Sequence, residues 1–543
     1  MRTRTTTAVM TIAGMLLLSA PAIATTLEPE LTATPQAPCG EGDRPETGLQ
    51  GQVSQDDHDS GRAAEGFTCN TELVGQHRML EETGIGNGSM AGFKVHRYVD
   101  DAGNECAYYD STLLFPTNVG DGEAGVVVLD MADPANPVRT TQLVTPGMLQ
   151  MHETLVISEE RGMLGAITAL VAAAPGVLDL YDLTQDCRDP QLISSTPLPV
   201  LAHESGFSPD GMTFWASATV SPQLWAIDVS DPTAPSVLYQ SDEGSHGLNI
   251  SDDGTRTYLA NSGEGLIVLD TTDIANRVEN PQVSVLSRLD WTSRSIPQNA
   301  IPFTSKGKQY LFEVDEFGGC SKAGAARIID INDEANPFVL SNARLAVHDP
   351  DNFDAVCDDP GTQTPAIQSY GAHYCHIPTR VDPTIAACSM IVSGLRIFDI
   401  TDVANPVEVA YFNAPVIDRP AYSTPFSGGV FQASNWAMSA PAFVPERKEI
   451  WYSDAFQGFF AVRVTNDMWP DTLDDGYERV RSAGLNRADD SAATATASAA
   501  AAPDPVLAVT GAASWLQAMG GMLLLGALGV RGRRRDGPDT DVD

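Results

Sequence analysis

The stretch LRIFDITDVANPVEVAYF, Leu395 to Phe412, decides the fold because the chain repeats it. It holds an apolar run, an Asp, a second Asp three residues later, an Asn-Pro pair and another apolar run. A degenerate copy, GFFAVRVTNDMWP, carries Arg463 in place of the first Asp. Five further good copies are VVVLDMADPANPV from Val126, LDLYDLTQDCRDPQL from Leu178, LWAIDVSDPTAPSVL from Leu224, LIVLDTTDIANRVENPQV from Leu266 and ARIIDINDEANPFVL from Ala326.

Each apolar run predicts a short strand that is buried on both faces. The runs are rich in Val, Ile and Leu, and Asp, Asn and Pro close them, which is typical of a strand stopped by a turn. Side chains of Asp and Asn can accept hydrogen bonds from the loose backbone groups at the strand end, and proline cannot donate to a further ladder. This turn chemistry explains the repeated Asp and Asn residues without any catalytic role.

A second pattern precedes several copies and predicts a hairpin. It appears as HESGFSPDGMTFWASA from His203, as HGLNISDDGTRTYLANS from His246 and more loosely as HETLVISEERGMLGAI from His152. The Asp-Gly pairs suit tight turns between antiparallel strands, because glycine adopts positive φ readily. One unit therefore has four strands, and about seven units predict an all-β, seven-bladed β-propeller.

The copies resemble the LVIVD-repeat proteins, whose name describes the buried strand written here as LIVLD and LWAID. The resemblance covers roughly Thr68 to Thr465 and implies the propeller fold. It implies little about activity, because propellers support unrelated functions.

The N-terminus predicts export. MRTRTTTAVMTIAGMLLLSAPAIA has two arginines, an apolar stretch through Leu18, and the small-x-small sequence Ala22-Ile23-Ala24 that signal peptidase accepts.

The C-terminus predicts an anchor. LAVTGAASWLQAMGGMLLLGALGVRGRRR holds about twenty apolar or small residues followed by arginines, enough for a membrane-spanning helix whose basic end stays in the cytoplasm. The order of pentapeptide, apolar span and basic tail resembles the LAxTG sorting signal of Gram-positive, high-GC actinobacterial surface proteins. The resemblance implies that sortase cleaves after Thr510 and joins the protein to cell-wall peptidoglycan; a plain membrane anchor is the alternative. The matching residues are Leu507, Ala508, Val509, Thr510 and Gly511.

The predicted domain organisation has five parts, because the segment before the anchor is rich in Ala, Ser, Thr and Pro and cannot bury a core. They are a signal peptide over 1–24, an acidic, mostly disordered segment over 25–67, the propeller over 68–466, a stalk over 467–506, and the sorting signal with its transmembrane helix and basic tail over 507–543.

Charge excludes nucleic acid as a partner, because 71 acidic and 32 basic residues give a net charge of −39 that repels phosphates. The acidic, lysine-poor composition suits a saline or alkaline habitat, or binding of divalent cations.

Eight cysteines follow the predicted signal peptide, and an even number in an exported protein indicates disulfides. The short sequence separations favour the pairs Cys69–Cys106, Cys375–Cys388 and Cys320–Cys357, which leaves Cys39 with Cys187 by elimination.

Four histidines provide the sharpest functional hypothesis. His152, His203, His246 and His373 precede the marker Asp of their units by 24 to 30 residues, so each begins the first strand of a different blade. That strand lines the channel of a propeller, and four imidazoles there could hold a transition metal. The alternative is a structural role in hydrogen bonding to a neighbouring blade. The corresponding residues of the fifth and seventh units are Gln298 and Ser439, and the adjacent carboxylates are Glu153 and Glu204.

Three other motifs are weaker. In AHYCH, His373 and His376 point to opposite faces of a strand, so a zinc site would require a bend. GIGNGSMAG, Gly84 to Gly92, does not open a helix after a strand and is interpreted as a loop. An acidic loop could hold calcium but lacks the EF-hand order; its residues are His348, Asp349, Asp351, Asp354, Asp358 and Asp359.

These observations predict a head displayed at the cell surface that binds a protein or glycan ligand, or serves as a scaffold. The competing hypothesis is an extracytoplasmic metal-dependent oxidoreductase or hydrolase whose ligands are the channel histidines. A structural component of a surface layer is the third alternative.

Overall fold

A computed structural model of the chain places the repeats in one β-propeller. The structural statements below concern the residues that it describes: 24–25, 28–78, 91–112, 124–169, 176–200, 202–218, 223–319, 321–362, 369–417, 422–423, 430–431, 435–465 and 468–469. Within these ranges no helix is both long and apolar enough to span a bilayer. Apart from Ala24, the predicted signal peptide lies outside them, as do the sorting residues Leu507 to Gly511 and all of the predicted stalk except Met468 and Trp469.

Three strands and one helix precede the first blade. Helix α1 begins at Ser54, whose hydroxyl accepts from the backbone of Asp57, and ends at Gly61, which has a φ of 82°. These elements are β1 (Ala24–Thr25), α1 (Gln55–Ser60), β2 (Phe67–Cys69) and β3 (Thr71–His77).

Each repeat forms an antiparallel sheet, or blade, whose first strand is the innermost. The strands of the first four blades are as follows. Blade 1 has β4 (Val95–Val99), β5 (Glu105–Asp110), β6 (Val126–Asp130) and β7 (Val138–Leu143). Blade 2 has β8 (Val156–Ser158), β9 (Met163–Ile167), β10 (Gly176–Asp182) and β11 (Gln191–Leu198). Blade 3 has β12 (Glu204–Phe207), β13 (Thr213–Ala218), β14 (Gln223–Asp228) and β15 (Ser236–Ser241). Blade 4 has β16 (Gly247–Ile250), β17 (Arg256–Asn261), β18 (Gly265–Asp270) and β19 (Ser284–Asp290).

The last three blades carry longer connections. Blade 5 and its inserted hairpin contain β20 (Ile296–Ser305), β21 (Lys308–Glu316), the hairpin strands β22 (Gly318–Gly319) and β23 (Lys322–Ala323), β24 (Ala326–Asp330) and β25 (Phe338–Ala343). Blade 6 has β26 (Tyr374–His376), β27 (Ile385–Ser389), β28 (Leu395–Asp399) and β29 (Val407–Asn413). The hairpin after blade 6 has β30 (Tyr422–Ser423) and β31 (Val430–Phe431). Blade 7 contributes β32 (Ala442–Val444), β33 (Glu449–Asp454) and β34 (Gly458–Val464).

Short helices occupy some of the connections. The α-helical ones are α2 (Pro146–Leu149), α3 (Thr272–Ala275) and α4 (Phe353–Val356), and the 3-10 helices are Arg62–Glu65, Ala346–His348, Pro350–Asn352 and Pro445–Arg447.

The third strand of each blade is the buried strand that the apolar runs predicted. In β18 every residue from Gly265 to Leu269 is buried, and β6, β24 and β28 follow the same pattern. Because side chains from both faces pack against neighbouring blades, these strands build the clusters between the sheets. In the six complete repeats the pairing with the outer strand shifts register at the same place, for example between Val268 and Leu269.

The predicted turns are also confirmed. Gly211 and Gly254 adopt φ values of 64° and 74° in the hairpins that follow the first strands of blades 3 and 4. In the turns after the third strands, Asp130 Oδ1 accepts from the amide of Ala132, and Asp399 Oδ1 from that of Thr401. These aspartates therefore act as strand caps.

The N-terminal region closes the ring, but in blade 7 rather than in blade 1. Blade 1, β4 to β7, follows β3 in the chain, but β3 is not part of it: β3 pairs with β34 as the outer strand of blade 7. In the part of the chain that the structure describes, no outer strand follows β34, so no Asx turn is needed there. Arg463, which replaces the marker Asp, instead pairs with Glu72 of β3 at 2.8 Å and with Glu449 at 2.9 Å.

The predicted disorder of residues 25–67 is wrong for Glu28 to Phe67. This segment runs along the outer strands of blades 5 and 6: the amide of Thr34 donates to the carbonyl of Arg344, and that of Ala37 to the carbonyl of Glu408. Its Glu46 forms a buried ion pair with Arg396, a residue of the buried strand β28. The acidic composition suggested disorder, but carboxylates matched to buried arginines fix the segment instead.

Two of the predicted disulfide pairs are wrong and one is confirmed. Cys39 bonds Cys69 within the N-terminal segment, and Cys106 bonds Cys187, which joins blades 1 and 2. Cys375 bonds Cys388, the residue opposite it on the neighbouring strand. Cys357 is also disulfide-bonded, whereas Cys320, its predicted partner, lies outside the described residues.

Replacement of Ile328 tests the role of the buried third strand. Ile328 of β24 is fully buried, so Ile328→Ala should destabilise the protein by about 2–5 kcal/mol through lost burial and a cavity. Val138→Ala is the control, because Val138 is 58% exposed and begins an outer strand. Thermal unfolding followed by circular dichroism measures both; equal melting temperatures would contradict the assigned core.

Candidate functional site

The structure brings the four predicted histidines together in the channel. His203, His246 and His373 immediately precede the innermost strands of blades 3, 4 and 6, and His152 lies shortly before that of blade 2. The rings of His152 and His203 are 4.8 Å apart between centroids, and those of His203 and His246 are 4.6 Å apart. The repeat therefore positions each imidazole at the same height on a different blade.

The carboxylate of Glu153 lies among all four imidazoles. Glu153 is 1% exposed, so its charge is removed from bulk water. The Nε2 atoms face its two oxygens at 3.6 Å from His152, 3.3 Å from His203, 3.9 Å from His246 and 3.3 Å from His373.

A second carboxylate, Glu316, was not predicted. Its oxygens lie 3.3 Å from His246 Nε2 and 3.0 Å from His373 Nε2. Glu316 ends β21 and pairs in register with Ile296 at the start of β20, so antiparallel pairing brings it to the histidine level. Gln298, which the sequence analysis placed at the histidine position of blade 5, donates its amide to Glu153 Oε2 at 2.8 Å.

Two groups of possible ligand atoms share Glu153. One contains His152, Glu153 and His203, and the other contains Glu153, His246 and Glu316. Within each group the ligand atoms lie within 4.8 Å of one another. This spacing fits donors arranged around a metal ion.

The remaining ring nitrogens of two histidines contact backbone carbonyls. His373 Nδ1 is 2.6 Å from the carbonyl oxygen of Met438, and His246 Nδ1 is 3.2 Å from that of Pro297. Since a carbonyl oxygen can only accept, each Nδ1 carries a hydrogen, and in the neutral ring Nε2 presents its lone pair to the carboxylates. Such a carbonyl contact is typical of a histidine that ligates a metal.

Burial and charge shift the pKa values of the cluster in opposite directions. Burial lowers the pKa of His152 to about 3 and that of His246 well below its usual value. Burial also disfavours a charged His373, but hydrogen bonds and charge from Glu153 and Glu316 outweigh it and raise the pKa of His373 to about 10. Burial raises the pKa of Glu316 to about 7.

A second polar layer crosses the channel beside the histidines. Lys94 donates to Glu204 Oε1 at 2.7 Å, and its ammonium lies 4.0 Å from the ring centroid of Tyr374. All three side chains are buried, although they come from blades 3 and 6 and the segment before blade 1. Glu204 was noted in the sequence for its place beside His203, whereas Lys94 was missed. Its rarity, as one of few lysines, is the signal that could have identified it.

Local backbone features hold the site. His152 adopts a φ of 46°, which is unfavourable for a non-glycine residue and indicates that the surroundings enforce its position. Gly247 follows His246, and a Cβ at this position would collide with Glu204 Oε2 and with the carbonyl oxygen of Gln298. Glycine is therefore required for close packing across the channel.

The other predicted motifs lie elsewhere. His376 points away from the cluster, and its ring is 6.1 Å from that of Phe443. In the acidic loop, His348 contacts the carbonyl of Tyr370, Asp349 caps a 3-10 helix, and Asp359 accepts from the Tyr370 hydroxyl. Among the described residues, no group of possible metal ligands includes this loop. Most of Gly84 to Gly92 lies outside the described residues.

Comparisons with known proteins find only distant structural similarities. No protein-family profile matches the chain, and no curated protein is similar to it. A functionally unknown protein from Desulfotomaculum acetoxidans is 12% identical, with a TM-score of 0.40 and coverage of 64% of this chain and 90% of that one. The β-propeller domain of Cps50 (Swd1) from Myceliophteria thermophila is 10% identical, with a TM-score of 0.43 and coverage of 73% and 100%. The periplasmic gluconolactonase PpgL of Pseudomonas aeruginosa is 14% identical, with a TM-score of 0.41 and coverage of 63% and 93%.

Proposed function

We propose that the protein is an exported metalloprotein whose propeller holds one divalent transition-metal ion in its channel. The observation that carries this proposal is the convergence of four imidazoles on two buried carboxylates. Its ligands are the predicted residues His152, His203, His246 and His373, joined by Glu153. Glu316 balances charge beside His246 and His373.

Hydrogen-bond geometry supports a cation between these groups. His203 Nε2 and His373 Nε2 lie within 3.3 Å of carboxylate oxygens, yet neither is aligned as a hydrogen bond. Buried polar atoms are almost always paired, and a neutral nitrogen lone pair facing a carboxylate is unfavourable, so either a proton on the nitrogen or a metal ion between the two groups is favoured. A metal ion satisfies both kinds of donor at once.

The charge balance supports a divalent ion. Three carboxylates and one ammonium are buried in the two layers, which leaves a net charge of −2 when the imidazoles are neutral; they belong to Glu153, Glu204, Glu316 and Lys94. Uncompensated buried charge is costly, so the site favours a bound cation. Burial also raises the pKa values of Glu204 and Glu316 to about 7, which reduces the charge to be balanced. The competing solution is protonation of His203 and His373 without a metal, and metal analysis separates the two.

The donor set indicates the kind of ion. Imidazole nitrogen with carboxylate oxygen suits Fe, Ni, Cu or Zn, and calcium prefers oxygen ligands alone. Four imidazoles with one carboxylate exceed the four ligands of an ordinary structural zinc site. An ion that accepts five or six ligands therefore fits best. Because its ligands come from blades 2, 3, 4 and 6, it would also connect opposite sides of the ring.

Metal analysis of the purified full-length protein tests the proposal. Plasma mass spectrometry should find about one transition-metal ion per chain, and the double variant His203→Ala plus His246→Ala should lose it because two ligands are removed. His58→Ala is the control, since His58 lies in helix α1, and it should retain the metal. Substoichiometric metal that does not change in the double variant would eliminate the proposal; circular dichroism checks that each variant is folded.

We also propose that the head is exported and attached to the cell wall through Leu507 to Gly511. The disulfides support an oxidising compartment outside the cytoplasm, where such bonds persist. Binding of a protein or glycan by the displayed head stays a prediction.

Replacing Thr510 tests the attachment. The wild-type protein should be released from cells only by an enzyme that digests peptidoglycan. Thr510→Ala should remain in the detergent-soluble membrane fraction, because sortase would no longer recognise and cleave the bond between residue 510 and Gly511. Thr494→Ala, in the predicted stalk, should behave like the wild type. Detergent release of the wild-type protein would instead indicate a plain membrane anchor.

A further inference from the structure

Three fully buried side chains beside the histidine cluster each have a polar atom without an aligned hydrogen-bond partner among the described residues. They are Oε2 of Glu204, Oε1 of Gln298 and the hydroxyl of Tyr374. Glu204 is 2% exposed, and the other two are 0% exposed. Buried polar atoms in proteins almost always have partners, so these unpartnered atoms indicate that a polar molecule belongs beside the cluster.

Each of these side chains is tied directly to the proposed metal ligands. Glu204 follows His203 and Tyr374 follows His373 in the sequence, and Gln298 donates to Glu153 at 2.8 Å. The Tyr374 ring packs edge-on against His373 with 4.7 Å between centroids. The unpartnered atoms therefore adjoin the metal position rather than forming a separate site.

Lys94 and Gly247 hold the Glu204 carboxylate in place. Lys94 holds Glu204 through its Oε1 at 2.7 Å and lies over the ring of Tyr374. Gly247 lets the Glu204 carboxylate pack against the backbone next to His246. Glu204 Oε2 is therefore held in place, although no protein donor bonds to it.

The chemistry of the three atoms defines the ligand. The hydroxyl of Tyr374 can donate, whereas Glu204 Oε2 and Gln298 Oε1 accept. A small molecule that accepts one hydrogen bond and donates two matches them, and water has these properties. Two aromatic rings beside the histidines limit the size of the ligand. The centroid of the Phe93 ring lies 4.5 Å from that of His152, and the Phe317 ring stacks on His373 with 5.6 Å between centroids.

We infer that the metal keeps one position for a small, exchangeable oxygen ligand, a water molecule at rest, held by Tyr374, Glu204 and Gln298. This inference rests on the proposed metal site. With four imidazoles and Glu153 as its ligands, as proposed above, a six-coordinate ion would have one position left. The centre therefore takes only ligands of a few atoms that can replace water.

The test uses the full-length protein with Mn(II) in place of its native ion and ¹⁷O-enriched water as the probe. Electron–nuclear double resonance should show an ¹⁷O coupling from one bound water, and ¹⁷O relaxation gives its exchange rate. Tyr374→Phe should keep the Mn(II) but exchange the water about fivefold faster, because one hydrogen bond of about 1 kcal/mol is lost. Tyr452→Phe is the matched control, since this buried hydroxyl also lacks an aligned partner but lies in blade 7.

The outcomes distinguish this inference from the proposed function. Stoichiometric Mn(II) without an ¹⁷O coupling would show a closed coordination shell, which overturns the inference and leaves the metal site standing. An unchanged exchange rate in Tyr374→Phe would remove Tyr374 from the site. A protein that binds no metal at all would overturn both proposals.

Discussion

Closure of the ring is the constraint on which the rest of the structure depends. Seven sheets can share one axis only if the last sheet is completed, and β3 supplies the outer strand that β34 lacks. Once the ring is closed, the first strands of the blades converge, and side chains far apart in sequence meet. The histidine cluster is a product of that closure, because its ligands come from four blades and its carboxylates from two.

Burying charged groups at the centre of the channel lowers the free energy of unfolding, and the apolar packing between blades must offset this loss. Buried charges lose hydration and are tolerated only when paired with good geometry. The Lys94–Glu204 pair meets this condition by itself, at 2.7 Å. Glu153 accepts a hydrogen bond from Gln298, but the charges of Glu153 and Glu316 face the imidazoles, so the net charge of the centre depends on histidine protonation or on the proposed cation.

The repeat made most of the fold predictable, but it did not reveal how the chain ends meet. Strands such as LIVLD are recognisable from their composition, and the similar spacing of 24 to 30 residues from histidine to marker Asp correctly predicted that the four imidazoles meet. Strand β3, TELVGQH, carries none of these marks, since its place is determined by the unpaired edge of β34. Glu316 was not predicted because it lies at the end of the second strand of blade 5, β21. In the described part of the other blades, no proposed ligand occupies the corresponding place. Two of the predicted disulfide pairs were wrong for a related reason. Cys39 bonds Cys69 only because the N-terminal segment folds along the blades.

The ion pairs of the N-terminal segment also bear on how the protein folds. Glu46 reaches Arg396 across 350 residues of chain, and Glu72 reaches Arg463 across 391. Contacts of such sequence separation form late, because a long loop must close before they contribute. During synthesis the early blades must therefore keep exposed edges until nearly the whole propeller has been made. An open, incomplete ring has unpaired strand edges that can pair with other chains.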